Sequence, residues 1–332
     1  VKCVNGLMPV QESGNKIGFF NKAGKQIVPF MYASVSNFSE GLALVRRVWD
    51  GKAGFINTAG LTVIAEKYDN ATSFYDGIAG VNMGATMNQY YQLSGGKWGL
   101  IDTKGKEITP IIYDNVENFK NGLAVVVTGK YPNERKGVVN RSGKMVLPVD
   151  FHSVTIFEDR IIASKASLTP YAFFDFTGKQ LCDFKWYPDG TFGSINDGLM
   201  VVHEIVNNTI GKRGVVDKNG VLKIPFKYDY IGEFNNGFAP VGINKNYGVI
   251  NTAGKEVLPL QYEWVGWFNE GWASIRKQKK ASFINPKGQL IGTTGKALTT
   301  PAPAPQKTNE EIAGPEPYES AFQQTLTAAA TT

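Results

Sequence analysis

One pattern of about 35 residues recurs along most of this chain of 332 residues. It is most complete at residues 97–126, KWGLIDTKGKEITPIIYDNVENFKNGLAVV, and it returns at residues 247–275 as YGVINTAGKEVLPLQYEWVGWFNEGWASI. One glycine keeps its place in six copies, at Gly18, Gly54, Gly99, Gly137, Gly214 and Gly248, and Ala172 and Ser282 replace it in two weaker copies. Such an array folds as small units that pack on their neighbours rather than around one central core.

Each copy also contains an Asn or Asp that is followed three residues later by Gly. An Asx side chain accepts a hydrogen bond from the backbone two residues further on, and glycine supplies the left-handed conformation that closes a hairpin. The motif therefore predicts a type I turn with a bulge between two strands, and this explains the Asx residues better than a row of metal ligands does. They are Asn21, Asn57, Asp102, Asn140, Asp175, Asp217, Asn251 and Asn285.

The second half of each copy predicts the core and another turn. Aromatic residues recur at two positions, where we expect one layer of rings per unit. The first set is Tyr32, Tyr113, Phe151, Tyr228 and Tyr262, and the second is Phe38, Phe74, Phe119, Phe157, Phe234 and Phe268. An acidic or amide residue then precedes Gly, at Glu40, Asp76, Asn121, Asp197, Asn236 and Glu270. Because asparagine shares this position, a turn is expected there rather than the paired carboxylates of a glycosidase.

Three to four short strands per unit, without helical periodicity, predict an all-β protein. We expect tandem β-hairpin repeats of about 35 residues stacked as an elongated superhelix, or solenoid. The alternative is a seven- or eight-bladed β-propeller, because three or four strands also make a small blade. The repeats fill residues 1–296, as about seven copies with partial units at both ends. Residues 297–332 form a Pro/Ala/Thr-rich acidic tail.

These residues resemble the WG-containing repeat family of bacteria. The stretch 97–126 matches the family pattern almost position for position, and the resemblance extends over about residues 6–291. The tryptophan of the pattern is kept only at Trp98. The resemblance implies a non-catalytic building block without a cofactor, in the bacterial cell envelope (periplasm or outer surface), with the cytoplasm as the alternative.

Composition and motifs give no sign of catalysis or of nucleic-acid binding. The net charge is +6, divided between +9 in the body and −3 in the tail, and the Lys and Arg residues are not clustered. Two cysteines and two histidines offer no metal motif, and no G-x-S-x-G sequence occurs. His152 and His203 are therefore expected at the surface ends of strands. The apolar runs are too short for a transmembrane segment.

Two tryptophans stand where other copies carry polar residues. Trp264 takes the position of Ser34, Asn70, Asn115 and Tyr230, and Trp267 takes that of Asn37, Ser73, Asn118 and Glu233. Both are expected to face water and, with Tyr230, to contact a protein partner. The alternatives are that the last partial unit or the tail covers the two tryptophans, or that these aromatics bind carbohydrate or another component of the cell envelope. Trp272 replaces Leu42 and is expected in the core.

The tail contains only two aromatic residues, Tyr318 and Phe322, which follow a proline-rich spacer. They would share one face of a short helix, so we expect them to anchor a protein partner, with a disordered chain end as the alternative. A lysine also follows the turn glycine in five copies, at Lys25, Lys106, Lys144, Lys179 and Lys255. Such a basic row could meet an acidic ligand, but protection of an exposed sheet edge explains it more simply.

Overall fold

Short antiparallel strands are the regular secondary structure of the described residues. The structure is a computed structural model that describes residues 6–88, 92–117, 119–167, 169–188, 195–207, 209–285 and 287–292. Within these ranges there is no helix. The chain forms two compact units, of which the first covers residues up to Lys165 together with Phe174–Lys179, and the second covers Ala166–Phe173 and the residues from Gln180 onward. The all-β prediction is confirmed.

The strands follow one another with few interruptions. The first seventeen are β1 Leu7–Gln11, β2 Ile17–Asn21, β3 Gln26–Tyr32, β4 Ser34–Val35, β5 Leu42–Arg46, β6 Ala53–Asn57, β7 Thr62–Tyr68, β8 Asn70–Ala71, β9 Ile78–Met87, β10 Leu93–Asp102, β11 Glu107–Tyr113, β12 Asn115–Val116, β13 Leu123–Thr128, β14 Arg135–Asn140, β15 Met145–Phe151, β16 Ser153–Ile156 and β17 Ile161–Ser164. The others are β18 Tyr171–Phe174, β19 Gln180–Pro188, β20 Ile195–Asn196, β21 Leu199–Val206, β22 Thr209–Val216, β23 Leu222–Tyr228, β24 Tyr230–Ile231, β25 Phe238–Ile243, β26 Asn246–Asn251, β27 Glu256–Tyr262, β28 Trp264–Val265, β29 Ala273–Lys277, β30 Lys280–Ile284 and β31 Leu290–Gly292.

Consecutive strands pair with one another, so each repeat becomes a small meandering sheet. The first unit contains the three-stranded sheet β1–β3 and the four-stranded sheets β4–β7, β8–β11 and β12–β15. The second unit contains the four-stranded sheets β24–β27 and β28–β31. It also contains paired strands earlier in the chain, where β21 pairs with both β20 and β22, and β22 pairs with β23. Each of these four-stranded sheets thus has the connection between its second and third strands at one end of the strands, and its two tight turns at the other end.

The Asx turn has the predicted geometry. Oδ1 of Asn21 accepts hydrogen bonds from the backbone N–H groups of Ala23 (3.0 Å) and Lys25 (2.9 Å). Gly24 adopts a φ of +76°, which glycine tolerates far better than other residues do. The same pair of bonds recurs in all eight copies. Each Asx oxygen is therefore engaged by the turn itself.

The second turn is a two-residue hairpin loop. Ser39 and Leu42 exchange backbone hydrogen bonds of 2.8 and 3.0 Å. Between them Glu40 and Gly41 both have positive φ values, 53° and 79°, as a type I′ turn requires. Positive φ is found at all six acidic or amide positions, namely Glu40, Asp76, Asn121, Asp197, Asn236 and Glu270. The sequence prediction of a turn is confirmed there.

The glycine that marks each copy allows two strands to approach closely. A Cβ atom at Gly18 would lie 2.5 Å from the carbonyl oxygen of Val28, and one at Gly54 would lie 2.6 Å from that of Ile64. The strand register shifts beside both glycines, as at a β-bulge. Ser282, which replaces the marker glycine, lies in a regular register instead. The glycine is therefore needed where the bulge brings a backbone against it.

Neighbouring sheets meet through one recurring contact. The glycine of each Asx turn rests against the strand that follows the Asx turn of the preceding repeat. The seven pairs are Gly60 with Val28, Gly105 with Ile64, Gly143 with Ile108, Gly178 with Val146, Gly220 with Cys182, Gly254 with Ile224 and Gly288 with Val257. Some neighbours are also joined by a carboxylate of the second turn, since Glu40 accepts the N–H of Gly77 (2.7 Å) and Asp197 that of Gly237 (2.7 Å).

The hydrophobic core lies between the faces of successive sheets. Ala43, Val45 and Ile56 pack toward β1–β3, whereas Leu42 and Phe55 of the same sheet pack toward β8–β11. The predicted ring layers are buried and packed edge to face, with centroids 4.9 Å apart for Phe19 and Phe38 and 4.8 Å apart for Phe55 and Phe74. Phe157 is only half-buried, because the second turn of its repeat begins one residue earlier than in the other repeats. There the N–H of Phe157 bonds to the carbonyl of Arg160.

Candidate functional site

Trp264 and Trp267 lie at the surface, as their polar equivalents do. Their side chains are 43% and 68% exposed. Tyr230, which occupies the position of Trp264 in the preceding sheet, is half-buried because it packs against the ring of Tyr247 and under the guanidinium of Arg213. The exposed pair therefore belongs to the β28–β31 sheet alone.

A glycine two residues after Trp264, and another two residues after Tyr230, let these two rings lie flat on their sheets. A Cβ atom at Gly266 would be 2.6 Å from Cη2 of Trp264, and one at Gly232 would be 2.9 Å from the hydroxyl of Tyr230. The equivalent residues in other copies are Ser36, Thr72 and Glu117. Aromatic residue and glycine thus occur together, two residues apart, and this spacing is a sequence signal for a ring that covers backbone.

The prediction that Trp272 belongs to the core is wrong. Its side chain is 47% exposed, whereas Leu42 at the equivalent position is 7% exposed. Leu42 faces the following sheet, and that sheet covers it. No sheet follows β28–β31 within the described residues, so Trp272 faces outward.

Trp272 belongs to an open aromatic face. Val265, Ala273, Ile275 and Ile284 point into the core shared with β24–β27. Because side chains alternate between the two faces of a sheet, Trp264, Ser274 and Phe283 point to the other side. We call Trp264, Trp272, Ser274 and Phe283 the outer face. Phe283 is 39% exposed, so three aromatic rings are accessible there.

Neither histidine belongs to this face, and the two aromatic residues of the tail cannot be placed relative to it. Tyr318 and Phe322 lie outside the described residues, so their role stays a prediction. The expectation that His203 lies at the surface is wrong, because it is buried on β21 between Tyr187 of β19 and Arg213 of β22. His152 is half-buried. In the described ranges no three His, Cys, Asp or Glu side chains cluster as metal ligands would, and no helix there could span a membrane.

Ion pairs that sequence reasoning missed stabilise the end of the sheets that lies opposite the Asx turns. A lysine beside the marker glycine pairs with the Asp found 17 residues later, after the core tyrosine. The pairs are Lys52 with Asp69, Lys97 with Asp114 and Lys212 with Asp229. The same Asp accepts backbone N–H groups of the nearby loop, as Asp114 does from Gly129 (2.9 Å). The hydrogen bond from Lys97 holds the pKa of the Asp114 carboxyl below its usual value, with burial opposing.

This lowered pKa predicts a pH-dependent loss of stability. A carboxyl whose pKa is lower in the folded state stabilises the protein above its unfolded pKa of about 3.9, and that contribution is lost as the pH falls through the folded value. Asp114→Asn is therefore expected to lower the free energy of unfolding at pH 7 and to make little difference near pH 3. Urea unfolding at both pH values measures this. Asp50→Asn is the control, because Asp50 is exposed and makes no ion pair in the described part of the chain. An equal loss at both pH values would contradict the assignment.

Comparison with known proteins identifies the repeat. A model of the WG containing repeat matches residues 17–47, 54–85, 98–131, 214–247 and 247–280. The chain belongs to the WG-repeat family. The fourth and fifth copies of this WG-repeat chain lie outside the matched ranges, although Gly143 and Gly178 make the same contact between sheets as the other turn glycines.

Similarity of the WG-repeat chain to solved structures is weak. A eukaryotic initiation factor shares 9% identity over 88% of this chain and 94% of its own, with a TM-score of 0.32. AztD of Citrobacter koseri shares 13% over 76% and 78%, with a TM-score of 0.29. Hsv2 of Kluyveromyces lactis shares 10% over 63% and 71%, with a TM-score of 0.31. No curated protein matches the chain significantly.

Proposed function

We propose that this protein is a non-enzymatic scaffold for protein–protein interaction, and that a partner binds the outer face together with Trp267. The observation that carries the proposal is the exposure of four aromatic side chains, Trp264, Trp267, Trp272 and Phe283, on the one sheet. Exposed apolar patches mark interaction sites, and tryptophan is enriched among the residues that dominate binding energy.

The surroundings of the outer face indicate what kind of partner it suits. The segment next to it, RKQKK at residues 276–280, carries four positive charges. Arg276 is directly opposite Trp264 in the sheet, and two exposed lysines follow it, Lys279 in the turn between β29 and β30 and Lys280 at the start of β30. A protein surface with an apolar centre and an acidic rim complements this arrangement.

The tail supplies a second contact in this proposal. Tyr318 and Phe322 anchor on the partner beyond the proline-rich spacer, and the repeats provide the rigid surface that positions it. The recurring contact between sheets supports rigidity, because seven of the eight Asx-turn glycines are packed against the preceding repeat. Two linked contacts bind more tightly than either does alone.

A pull-down with the full chain as bait tests the scaffold. Replacing Trp264, Trp267 and Trp272 by serine is expected to weaken recovery of the partner by about 30-fold or more, because buried tryptophan anchors contribute about 2 kcal/mol or more each. Trp49→Ser is the matched control, since Trp49 is 68% exposed in the first compact unit. Truncation after residue 296 tests the tail and is expected to weaken recovery as well. Partner recovery unaffected by either change would refute the proposal.

We also propose that the sheets follow one another as an elongated superhelix and that the protein works in the bacterial cell envelope. The uniform contact between sheets supports a regular stack, although four-stranded sheets suit propeller blades too. Small-angle scattering of residues 1–296 distinguishes a superhelix from a propeller, because a compact chain of this length has a radius of gyration of about 19 Å and a superhelix exceeds it.

Cell fractionation tests the proposed location in the cell envelope, and recovery from the cytoplasm alone would exclude the envelope.

A further inference from the structure

A cleft lies between the β8–β11 and β12–β15 sheets of the first compact unit. Its volume is about 370 Å³, within the range of small-molecule sites. One wall is the hairpin β9–β10, whose strands have ten residues each, and the other is the loop between β13 and β14. The indole of Trp98, the tryptophan of the WG motif, lines the cleft and is half-buried.

Specific bonds hold both walls in place. In the first wall, Asp69 accepts the N–H groups of Gly84 (2.6 Å) and Ala85 (3.2 Å), and Asn82 donates to the carbonyl of Gly95 (3.2 Å). In the second, Asp114 accepts the N–H of Gly129 (2.9 Å) and receives a bond from Lys97 of the opposite wall (2.7 Å). The cleft is therefore built in advance of any ligand, which reduces the entropic cost of binding.

The groups that line the cleft can both donate and accept hydrogen bonds. The side chain of Asn115 is exposed and makes no bond with the described residues, and Ser94 and Glu134 add a hydroxyl and an unpaired carboxylate. These groups favour a ligand that carries hydroxyl groups, because a hydroxyl can donate to the carboxylate and accept from the amide.

The charge of the lining is nearly balanced. Glu134 and Lys130 carry opposite charges, and the carboxylate of Asp114 is neutralised by Lys97. A phosphate-bearing or strongly cationic ligand would require an excess of one sign, which the cleft does not supply. Its chemistry fits an uncharged ligand that combines an apolar face with many hydroxyl groups.

We propose that this cleft binds a neutral oligosaccharide, with one sugar ring stacked on Trp98 and its hydroxyl groups bonded to Asn115, Ser94 and Glu134. A pyranose ring presents C–H groups on its face and hydroxyl groups around its rim, which matches an indole surrounded by amide and carboxylate groups. The site is separate from the outer face and from the partner binding proposed above.

Calorimetric titration of the full chain with neutral oligomers of β-1,4-glucose, α-1,4-glucose and β-1,4-N-acetylglucosamine tests the assignment. At least one is expected to bind with a Kd below about 1 mM. Trp98→Ala is expected to weaken that binding by about tenfold or more, since the substitution removes the ring face on which the sugar stacks. Asn115→Ala, which removes no side-chain bond to another described residue, is expected to weaken it about threefold or more without changing the melting temperature.

Two controls make the result decisive. Trp49→Ala, an exposed tryptophan of the same compact unit outside the cleft, is expected to leave the affinity unchanged. Replacing Trp264 and Trp267 by serine is expected to leave it unchanged too. The proposal is overturned if none of the oligomers binds at about 10 mM, if binding survives both Trp98→Ala and Asn115→Ala, or if it is lost with Trp264 and Trp267 instead.

Discussion

Replacing Gly143 by alanine is expected to lower the free energy of unfolding by about 3 kcal/mol or more. Two costs add at this position. Gly143 has a φ of +79°, which strains any residue with a Cβ atom. That Cβ would also overlap the carbonyl oxygen of Ile108 in the preceding repeat, and a backbone atom cannot move aside as a flexible side chain can. Urea unfolding followed by circular dichroism measures the loss.

Gly24→Ala separates the two costs. Gly24 occupies the same position of an Asx turn with a φ of +76°, but a Cβ there would meet no described atom within 4 Å. Only the conformational cost remains, and the expected loss is about 1 kcal/mol. Equal losses for the two variants would show that contact between repeats does not depend on the turn glycine.

Phe74→Ala is expected to lower the free energy of unfolding by about 3–5 kcal/mol, the usual cost of removing a buried phenylalanine. Its side chain is 1% exposed and packs edge to face on Phe55, between the β4–β7 and β8–β11 sheets. The substitution would leave a cavity where two repeats meet. In an array stabilised by contacts between neighbours, that cavity weakens both of the repeats that meet there.

Tyr75→Ala is the matched control for this change. Tyr75 is next in the chain and forms the adjacent turn through its backbone, but its side chain is 59% exposed. The expected change in the free energy of unfolding is below about 0.5 kcal/mol. If Phe74→Ala cost as little as Tyr75→Ala, the ring layer would not be the core of the repeat.

The local parts of this fold could be predicted from the sequence because each depends on a few neighbouring residues. The Asx turn needs Asn21 and Gly24, and the type I′ turn needs Glu40 and Gly41. Both signals lie within four residues. Burial of the recurrent aromatics followed from the same repetition, since a residue that returns at a fixed position in every unit must face a fixed neighbour.

Contacts between distant residues were harder to predict. Lys97 and Asp114 are 17 residues apart and meet only because one strand turns back beside another. Trp272 was misassigned because the equivalent residues in other repeats are covered by the sheet that follows them. Burial at this position depends on whether a following sheet is present, and the residue itself does not indicate that. The position of Trp98 was visible, but the cleft beside it depends on how the long β9–β10 hairpin bends at Gly84, Gly95 and Gly96.

The recurrence of the contact between an Asx-turn glycine and the preceding repeat has an evolutionary consequence. Because all seven contacts join an Asx turn to the strand that follows the preceding Asx turn, unequal recombination between two copies, cut at equivalent positions, again places such a turn against such a strand. Genes of this kind can therefore gain or lose whole copies without a new interface having to evolve. A repeat that carries a specialised surface, such as the tryptophans of the β28–β31 sheet, can therefore be duplicated or transferred as a whole together with that surface.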